Sequence, residues 1–556
     1  MTRRPTSDPH TAPHSARPAA LLPALLAAAA LALGACTGGG QSSGEQSGPS
    51  GLAQSGPAQS DEGATDVPAD PADLFVEGTI ETPTSEVTAR IGPLVNRGDH
   101  AVLVLEVELP DGAQAAGFER RDHWMAHPFR GIYRFPLLDL EAGTVEEPVR
   151  LGADPKASDE ATLEISPFSQ EPPYVAYSVY GPQDRDAVDV LVPSVGLVED
   201  VPVVEESALP TDATDIRSVA ALDSAEEEIG LPGQEINLRT AELQSFALAT
   251  DDGQDIEVTP ERVDINVNSD VLFDVDQDTL GSGARAELQQ VAAQLGGIEG
   301  GTITIVGHTD DVSTDEYNQA LSERRAEAVR SALDDLADLS AFEVTTQGKG
   351  ESEPRVAGTT SEARAANRRV EILVVPADTS GHVVIQGSDE AQLPEAEGPV
   401  GVSGEGATVS NDDGDTMRID LAELRTRGRY LVGEVTVTNV GDKEDIGVLN
   451  ALRAMTLSTP RGEFEPNQMS MPAGLTLLEG GQRFFPVDYS IAGADHTPVV
   501  PDQTATLEPG QSLVVPVVWP RMEADSAVLD VSDYRDALGG MTAHYFLFRV
   551  TDIPIH

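Results

Sequence analysis

The chain has 556 residues, too many for one hydrophobic core, and its 40% hydrophobic content is enough to build several. Its 94 acidic against 35 basic residues give a formal net charge of -59, a field that repels nucleic acid and anionic headgroups and excludes both as surface partners. A single cysteine, Cys36, excludes an intramolecular disulfide framework and any multi-cysteine metal site.

In chain order, Arg3, Arg4 and Arg17 precede the apolar run "AALLPALLAAAALALGAC", which ends at Cys36. The run is too short and too rich in alanine for a comfortable membrane span, but it fits the core of an export signal. Its last four residues, Leu33-Gly34-Ala35-Cys36, resemble the bacterial lipobox. That resemblance implies a lipoprotein signal peptide over 1–36 and a diacylglycerol on the sulfur of Cys36, which would anchor the protein to a membrane. An ordinary signal peptide with an incidental cysteine is the alternative. Residues 37–72 are rich in Gly, Ser, Gln and Pro and read as a flexible linker, with a root-mean-square reach of roughly 30 Å.

Over 73–208, alternating stretches such as "AVLVLEVEL" are broken by Gly, Pro and Asp turns, which predicts an all-β, sandwich-like domain. A connector is expected at 209–261, whose short strands could instead complete the first sandwich, with a linker at 377–404 and a second sandwich-like domain at 405–556. "ARIGPLVNRGDHAVLVLEVEL" (89–109) and "MRIDLAELRTRGRYLVGEVTV" (417–437) share Arg-Ile, a Leu, Arg-Gly and then a strand, which suggests a diverged duplication. Convergence on generic strand patterns stays open beside it.

Between these regions the period switches back and forth over 262–376. "INVNSDVLFDVD" reads as a strand, and "RAELQQVAAQLGG" sets Leu288, Val291 and Leu295 on one helical face. The buried strand "TITIVGH", a long helix over 315–336, the strand "FEVTTQGKG", a short helix "SEARAAN" and the strand "RRVEILVV" follow. The fold class is therefore multidomain: a central α/β unit, with a βαβαβ-type mixed sheet and helices, flanked by two all-β sandwich-like domains.

In the long helix, Ser313 and Glu316 predict a capping box, and Leu321, Val329, Ala332 and Leu336 form the apolar stripe. Arg325 falls on that stripe and points inward, while Arg324 is turned about 100° away. A guanidinium packed inward needs a carboxylate or several acceptors to offset its desolvation. Asp310 and Asp311, just past a strand end, are the nearest candidates. Two readings stay open: Asp310 and Arg325 form an internal salt bridge, or together they receive an outside zwitterion, ammonium on the aspartate and carboxylate on the arginine.

The motifs "VLFDVDQDTL", "GHTDD", "YNQALSERRAEAVRSAL", "GKGESEP" and "EARAANRRVEILV" occur in this order over about a fifth of the chain. The segment resembles the C-terminal domain shared by outer-membrane protein A, the peptidoglycan-associated lipoprotein and the flagellar motor stator protein B. The resemblance implies non-covalent binding of peptidoglycan through the diaminopimelate of its stem peptide, with Asp310 and Arg325 as the gripping pair. Thr309, Asn318, Leu321 and Ser322 would surround the pocket, with Phe273, Asp274, Asn367 and Arg368 at its periphery. Ser313 stands where many members carry glycine, and Asp311 adds a carboxylate expected to favour the ammonium end.

His308 reads as a packing or hydrogen-bonding residue, because no second histidine or cysteine lies at metal-ligand spacing. No metal or cofactor is implied, and no nucleophile elbow, zincin motif or phosphate loop argues for an enzyme. The leading expectation is an exported, lipid-anchored envelope protein facing and binding the cell wall, with envelope proteins as further candidate partners of the β domains. The alternative is a surface adhesion or ligand-binding protein whose β domains carry the function and whose wall domain only anchors them.

Overall fold

The computed structural model describes residues 74–81, 86–108, 135–151, 174–192, 195–211, 217–228, 230–379, 382–387, 392–411, 414–444, 446–447, 474–491, 496–499, 506–532 and 546–556. The expected export signal, Cys36 and the linker expected over 37–72 lie outside the described residues. All described residues belong to one compact unit, Asp66–His556.

Alternation of apolar and polar residues produces eight strands in the first β region. They are β1 (Val76–Glu81), β2 (Glu86–Asn96), β3 (Ala101–Glu108), β4 (Leu137–Asp139), β5 (Thr144–Leu151), β6 (Tyr174–Tyr180), β7 (Ala187–Val192) and β8 (Gly196–Glu205). Their order is β6-β3-β2-β8-β7-β4-β5, with β1 also on β2. The strand β8 joins two halves of this path, antiparallel to β7 and parallel to β2 at Val203–Glu205. One core cluster draws on both halves, including Ile91, Leu94 and Leu103 from one and Leu137, Val190 and Val201 from the other.

The residues expected as a connector are structural instead. The helix Val219–Glu228 buries Leu222 and Ala225, and β9 (Ile236–Glu242) pairs with β5. Next come β10 (Ser245–Ala249) and β11 (Gln254–Val258), which run into the central sheet. Periodicity identifies such strands but not their partners, and an unpaired strand edge is costly enough to recruit one.

The central unit contains β12 (Val263–Asn268), β13 (Gly301–His308), β14 (Phe342–Gly350) and β15 (Arg369–Pro376), ordered β14-β13-β15-β12-β11-β10. Only β13 and β14 are parallel, so the sheet is mixed as expected. Val263, Ile265, Ile303, Ile305, Ile372 and Val374 project to one face. There they meet Leu288, Val291 and Leu295 of the helix Ala284–Gly296, and Ala326, Val329 and Leu333 of the helix Asp315–Leu336. A fully buried residue of this kind is worth about 2 kcal/mol in apolar area removed from water, which makes this two-layer core the dominant local stabilisation.

The C-terminal strands are β16 (Val400–Val402), β17 (Ala407–Ser410), β18 (Thr416–Arg427), β19 (Tyr430–Asn439), β20 (Ile446–Gly447), β21 (Thr476–Glu479) and β22 (Gln482–Phe484). They continue with β23 (Asp488–Tyr489), β24 (Thr497–Pro498), β25 (Thr506–Leu507), β26 (Ser512–Pro520), β27 (Ser526–Val531) and β28 (Phe548–Pro554). Their pairing repeats that of the first region. The neighbours β17-β18-β19-β26 correspond to β1-β2-β3-β6, and β22-β21-β27-β28 to β5-β4-β7-β8. A parallel bridge from Leu424 to Ile555 stands where β2 meets β8. Both hairpins carry a register break, Ile91/Leu94 in one and Leu421/Leu424 in the other. Shared strand order, connectivity and bulges are not what convergence on generic strands produces, so the topology favours duplication.

Each copy also takes a ninth strand from the same short segment, β9 on the first and β10 on the second, through Ala247↔Phe484. The central sheet is thereby continuous with the second copy, giving eleven strands in one path. The copies touch directly as well: Leu138, Leu140 and Leu197 share a core cluster with Tyr430, Val432 and Val518. Glu199 pairs across this boundary with Arg425 and Arg427, and the Tyr489 hydroxyl donates to Glu147. The segment expected as a linker, 377–404, is held down too. Ile385 is buried, the Gln294 side chain bonds Val384 O and Gln386 N at 3.0 and 2.7 Å, and β16 pairs with β28.

Candidate functional site

The site forms where β13 ends, the long helix begins, and the chain passes the loops after Leu272 and Asn367. Two glycines permit the approach. A Cβ on Gly307 would lie 2.2 Å from the Ser322 carbonyl oxygen, and one on Gly348 would lie 2.5 Å from Ser322 Oγ. The helix therefore rests on bare strand backbone, and Ser322, fully buried, donates to Gln319 O (2.8 Å) and accepts the Gly350 N–H (3.0 Å). Thr309, at the strand end, donates its N–H to Gly350 O at 2.9 Å.

The helix starts one residue later than its capping box predicted. Thr314, not Ser313, is the cap, its Oγ1 accepting the Tyr317 N–H at 3.3 Å. Ser313 instead takes the turn that precedes it, with φ 107°, a region that a side chain enters only at a cost of order 1 kcal/mol. The loop thus keeps the glycine-like conformation although the residue is serine.

Arg325 is buried, 5% exposed, on the stripe that the sequence assigned to it. Its Nε donates to Gln277 O at 2.9 Å, and its guanidinium carbon lies 4.9 Å from the centre of the Phe273 ring. Among the described residues it makes no ion pair. Burial pulls the guanidinium below its ordinary value, with Asp270, Asp276 and Tyr317 opposing and Arg368 adding to the fall. An unmatched, desolvated guanidinium braced by a ring is a poor structural element and a ready receiver of a carboxylate. Arg324, half exposed, pairs with Asp278 on the outer side.

Asp310 does not pair with Arg325. Its Oδ1 accepts the Val312 N–H at 3.1 Å and its Oδ2 accepts Arg368 Nη1 at 2.8 Å. Arg368 in turn holds Asp270 with two bonds, 2.9 and 2.6 Å, and these raise its pKa further above the arginine range. The internal salt bridge considered from sequence is therefore replaced by a triad of Asp270, Arg368 and Asp310 beside Arg325.

The other sequence-predicted residues divide by role. Asn318 is buried and donates to Glu351 Oε2 (2.6 Å) and Asp310 O (3.2 Å), fixing the aspartate's backbone, and Leu321 is buried one helical turn before Arg325. Phe273 is the ring beneath Arg325, while Asp274 beside it is exposed. Asn367 braces a loop, accepting the Val356 N–H and donating to the Val356 carbonyl at 2.9 and 3.0 Å. Asp311 is taken up by Arg364 through two bonds of 2.5 and 3.2 Å, first of all by that hydrogen bonding held below the usual carboxylate range. It is thus not the open second carboxylate that was expected. His308 is buried with Nε2 3.2 Å from Glu371, in keeping with a packing role. Asp270, Gln277, Glu351 and Arg364 were not legible as site residues. Asp270 and Arg364 act through charged partners distant in sequence, Glu351 through the Asn318 amide, and Gln277 through its backbone.

The segment that carries these motifs has counterparts among known proteins. A model of the OmpA family matches residues 272–368. The outer-membrane lipoprotein YfiB of Pseudomonas aeruginosa is 33% identical over 150 residues, covering 27% of this chain and 88% of that protein. This chain belongs to the OmpA family. The outer membrane protein A of Bordetella avium is 44% identical over 108 residues, 19% of this chain and 55% of that protein. Outer membrane porin F of P. aeruginosa is matched over only 31% of its length, so the chain spans about half or less of these two relatives. Among solved structures, the peptidoglycan-associated lipoprotein of Burkholderia pseudomallei is 36% identical, with 18% of this chain and 86% of that one covered and a TM-score of 0.16. The cell wall anchor of a type VI secretion system from P. aeruginosa is 29% identical, with coverage of 22% and 88% and a TM-score of 0.20. The family match spans residues 272–368, and β units of matching strand order lie on either side of it in the chain.

Proposed function

We propose that this protein is a cell-envelope lipoprotein that binds peptidoglycan non-covalently through the diaminopimelate of the stem peptide and so ties a membrane to the cell wall. Arg325 carries the reading: a buried guanidinium that makes no ion pair among the described residues, set over the Phe273 ring in an OmpA-family domain whose Asp310 lies just past the end of the adjacent strand β13. The far end of diaminopimelate is a zwitterion. Its carboxylate would take two parallel hydrogen bonds from Arg325, and its ammonium would rest on Asp310. Anchoring would come from acyl chains on Cys36, with the segment 37–72 as the tether. The names of relatives, among them an outer-membrane lipoprotein and a peptidoglycan-associated lipoprotein, support this assignment.

Because the domain's sheet continues into the second β unit, the test uses the intact chain. Sedimentation with isolated peptidoglycan should retain the wild type on diaminopimelate-containing walls, lose Asp310→Ala and Arg325→Ala, and retain neither wild type nor variants on walls lacking diaminopimelate. Binding indifferent to both substitutions would sink the reading. For the anchor, Cys36→Ser should move the protein from the membrane to the soluble fraction.

A further inference from the structure

The charged groups around Asp310 and Arg325 are arranged unevenly. Arg364, on the short helix Ser361–Asn367, gives two bonds to Asp311, and Arg368, just past that helix, gives two bonds to Asp270. Arg324 pairs with Asp278. Each of these three arginines therefore has a carboxylate of its own. Among the described residues Arg325 makes no ion pair, although Asp276 is near enough to act on it, and Asp310 receives a single bond from a guanidinium already engaged elsewhere.

That single bond matters. Arg368 already reaches Asp310, and a planar guanidinium prefers a two-bond fork with one carboxylate. Without Asp270, nothing among the described residues would keep Arg368 from turning its fork onto Asp310. The aspartate would then be neutralised by a tethered cation, against which a free ammonium competes poorly. Arg364 also lies within the field of Asp310, and Asp311 occupies it in the same manner.

We propose that Asp270 and Asp311 are positioning residues that sequester Arg368 and Arg364, keeping the charge of Asp310 available to an ammonium group. The proposal rests on the zwitterion reading above and adds to it the residues that set the affinity of the ammonium end. Their role is electrical, so it makes an unusual demand: removing the sequestered arginine must repair the loss of its carboxylate.

Calorimetric titration of the intact, detergent-solubilised protein with soluble meso-diaminopimelate tests this. Asp270→Asn should weaken binding about tenfold, a loss equivalent to one neutralised contact. Asp270→Glu should retain most of the affinity, and Asp270→Asn combined with Arg368→Gln should return it to within about twofold of wild type. Asp311→Asn should give a smaller loss, repaired by Arg364→Gln. A merely structural Asp270 predicts the opposite, with the double variant as weak as Asp270→Asn or weaker, and that result would overturn the proposal. So would wild-type affinity in Asp270→Asn while Asp310→Ala has lost binding. If Asp310→Ala itself binds as tightly as wild type, the zwitterion reading fails and the positioning role falls with it.

Discussion

Arg325 concentrates the conflict between folding and binding into one side chain. It occupies a stripe position that Leu would fill, gives one hydrogen bond to a carbonyl and rests on Phe273, yet burial lowers its pKa, Asp270 and Asp276 oppose that only in part, and it makes no ion pair among the described residues. Function at a cost in stability leaves a measurable signature. Arg325→Leu should raise the free energy of unfolding by about 1 kcal/mol, read from urea denaturation, while abolishing wall sedimentation. Loss of stability in that variant would mean that the guanidinium is a structural element after all. Much of this residue was legible in sequence, because its place on the stripe follows from helical spacing alone. Its hydrogen-bond partner was not, since Gln277 contributes only a backbone oxygen.

At the scale of elements, the site depends on how closely the long helix approaches β13 and β14. Gly307→Ala places a methyl 2.2 Å from the Ser322 carbonyl oxygen, which rigid backbone on both sides cannot relieve. It should cost about 3 kcal/mol of stability and weaken wall binding together, as a shift of the helix carries Arg325 with it. Preserved binding in a destabilised variant would separate the two effects. On β12, Asp264 is half-buried and its carboxyl is pushed up to about 6 by burial, with Glu257, Glu371 and Asp255 adding to the rise and Arg262 opposing it. Its pKa is higher folded than unfolded, so the stabilising contribution is complete below the ordinary value of 3.8 and is lost as pH rises through about 6. Discounted for its partial exposure, the loss is on the order of 1 kcal/mol. Asp264→Asn should flatten the stability profile between pH 4 and 6 and stabilise the protein at pH 7, as thermal unfolding across that range would reveal.

For the whole molecule, the consequential feature is the segment that gives β9 to one β unit and β10 to the other. Through β10 the OmpA-family domain shares an eleven-stranded path with the second copy, and their cores merge into one cluster that includes Val263, Ile305, Phe484 and Trp519. Load applied to the OmpA-family domain would therefore reach the β units through paired strands, not through a loose linker. Phe484→Ala, at a fully buried position of β22 paired with β10, should cost about 3–4 kcal/mol and lower amide-exchange protection in β11 and β12 as well as in the second copy. Unchanged protection in β12 would show that the domain folds independently of its neighbour.

Local spacing by itself was sufficient for the central α/β order, the inward set of Arg325, the packing role of His308 and the hint of duplication in two short strand patterns. Each depends on residues within a turn or a strand of one another, where period and side-chain direction decide the outcome. The pairings made by 209–261 and 377–404 were out of the reach of local spacing, because strand edges choose partners by long-range register, which composition does not encode. The arrangement of charge around Asp310 was equally out of reach. Which carboxylate takes which arginine depends on side chains from four separate elements meeting at one strand end, and only tertiary packing brings Asp270, Asp310, Asp311, Arg364 and Arg368 within hydrogen-bonding reach.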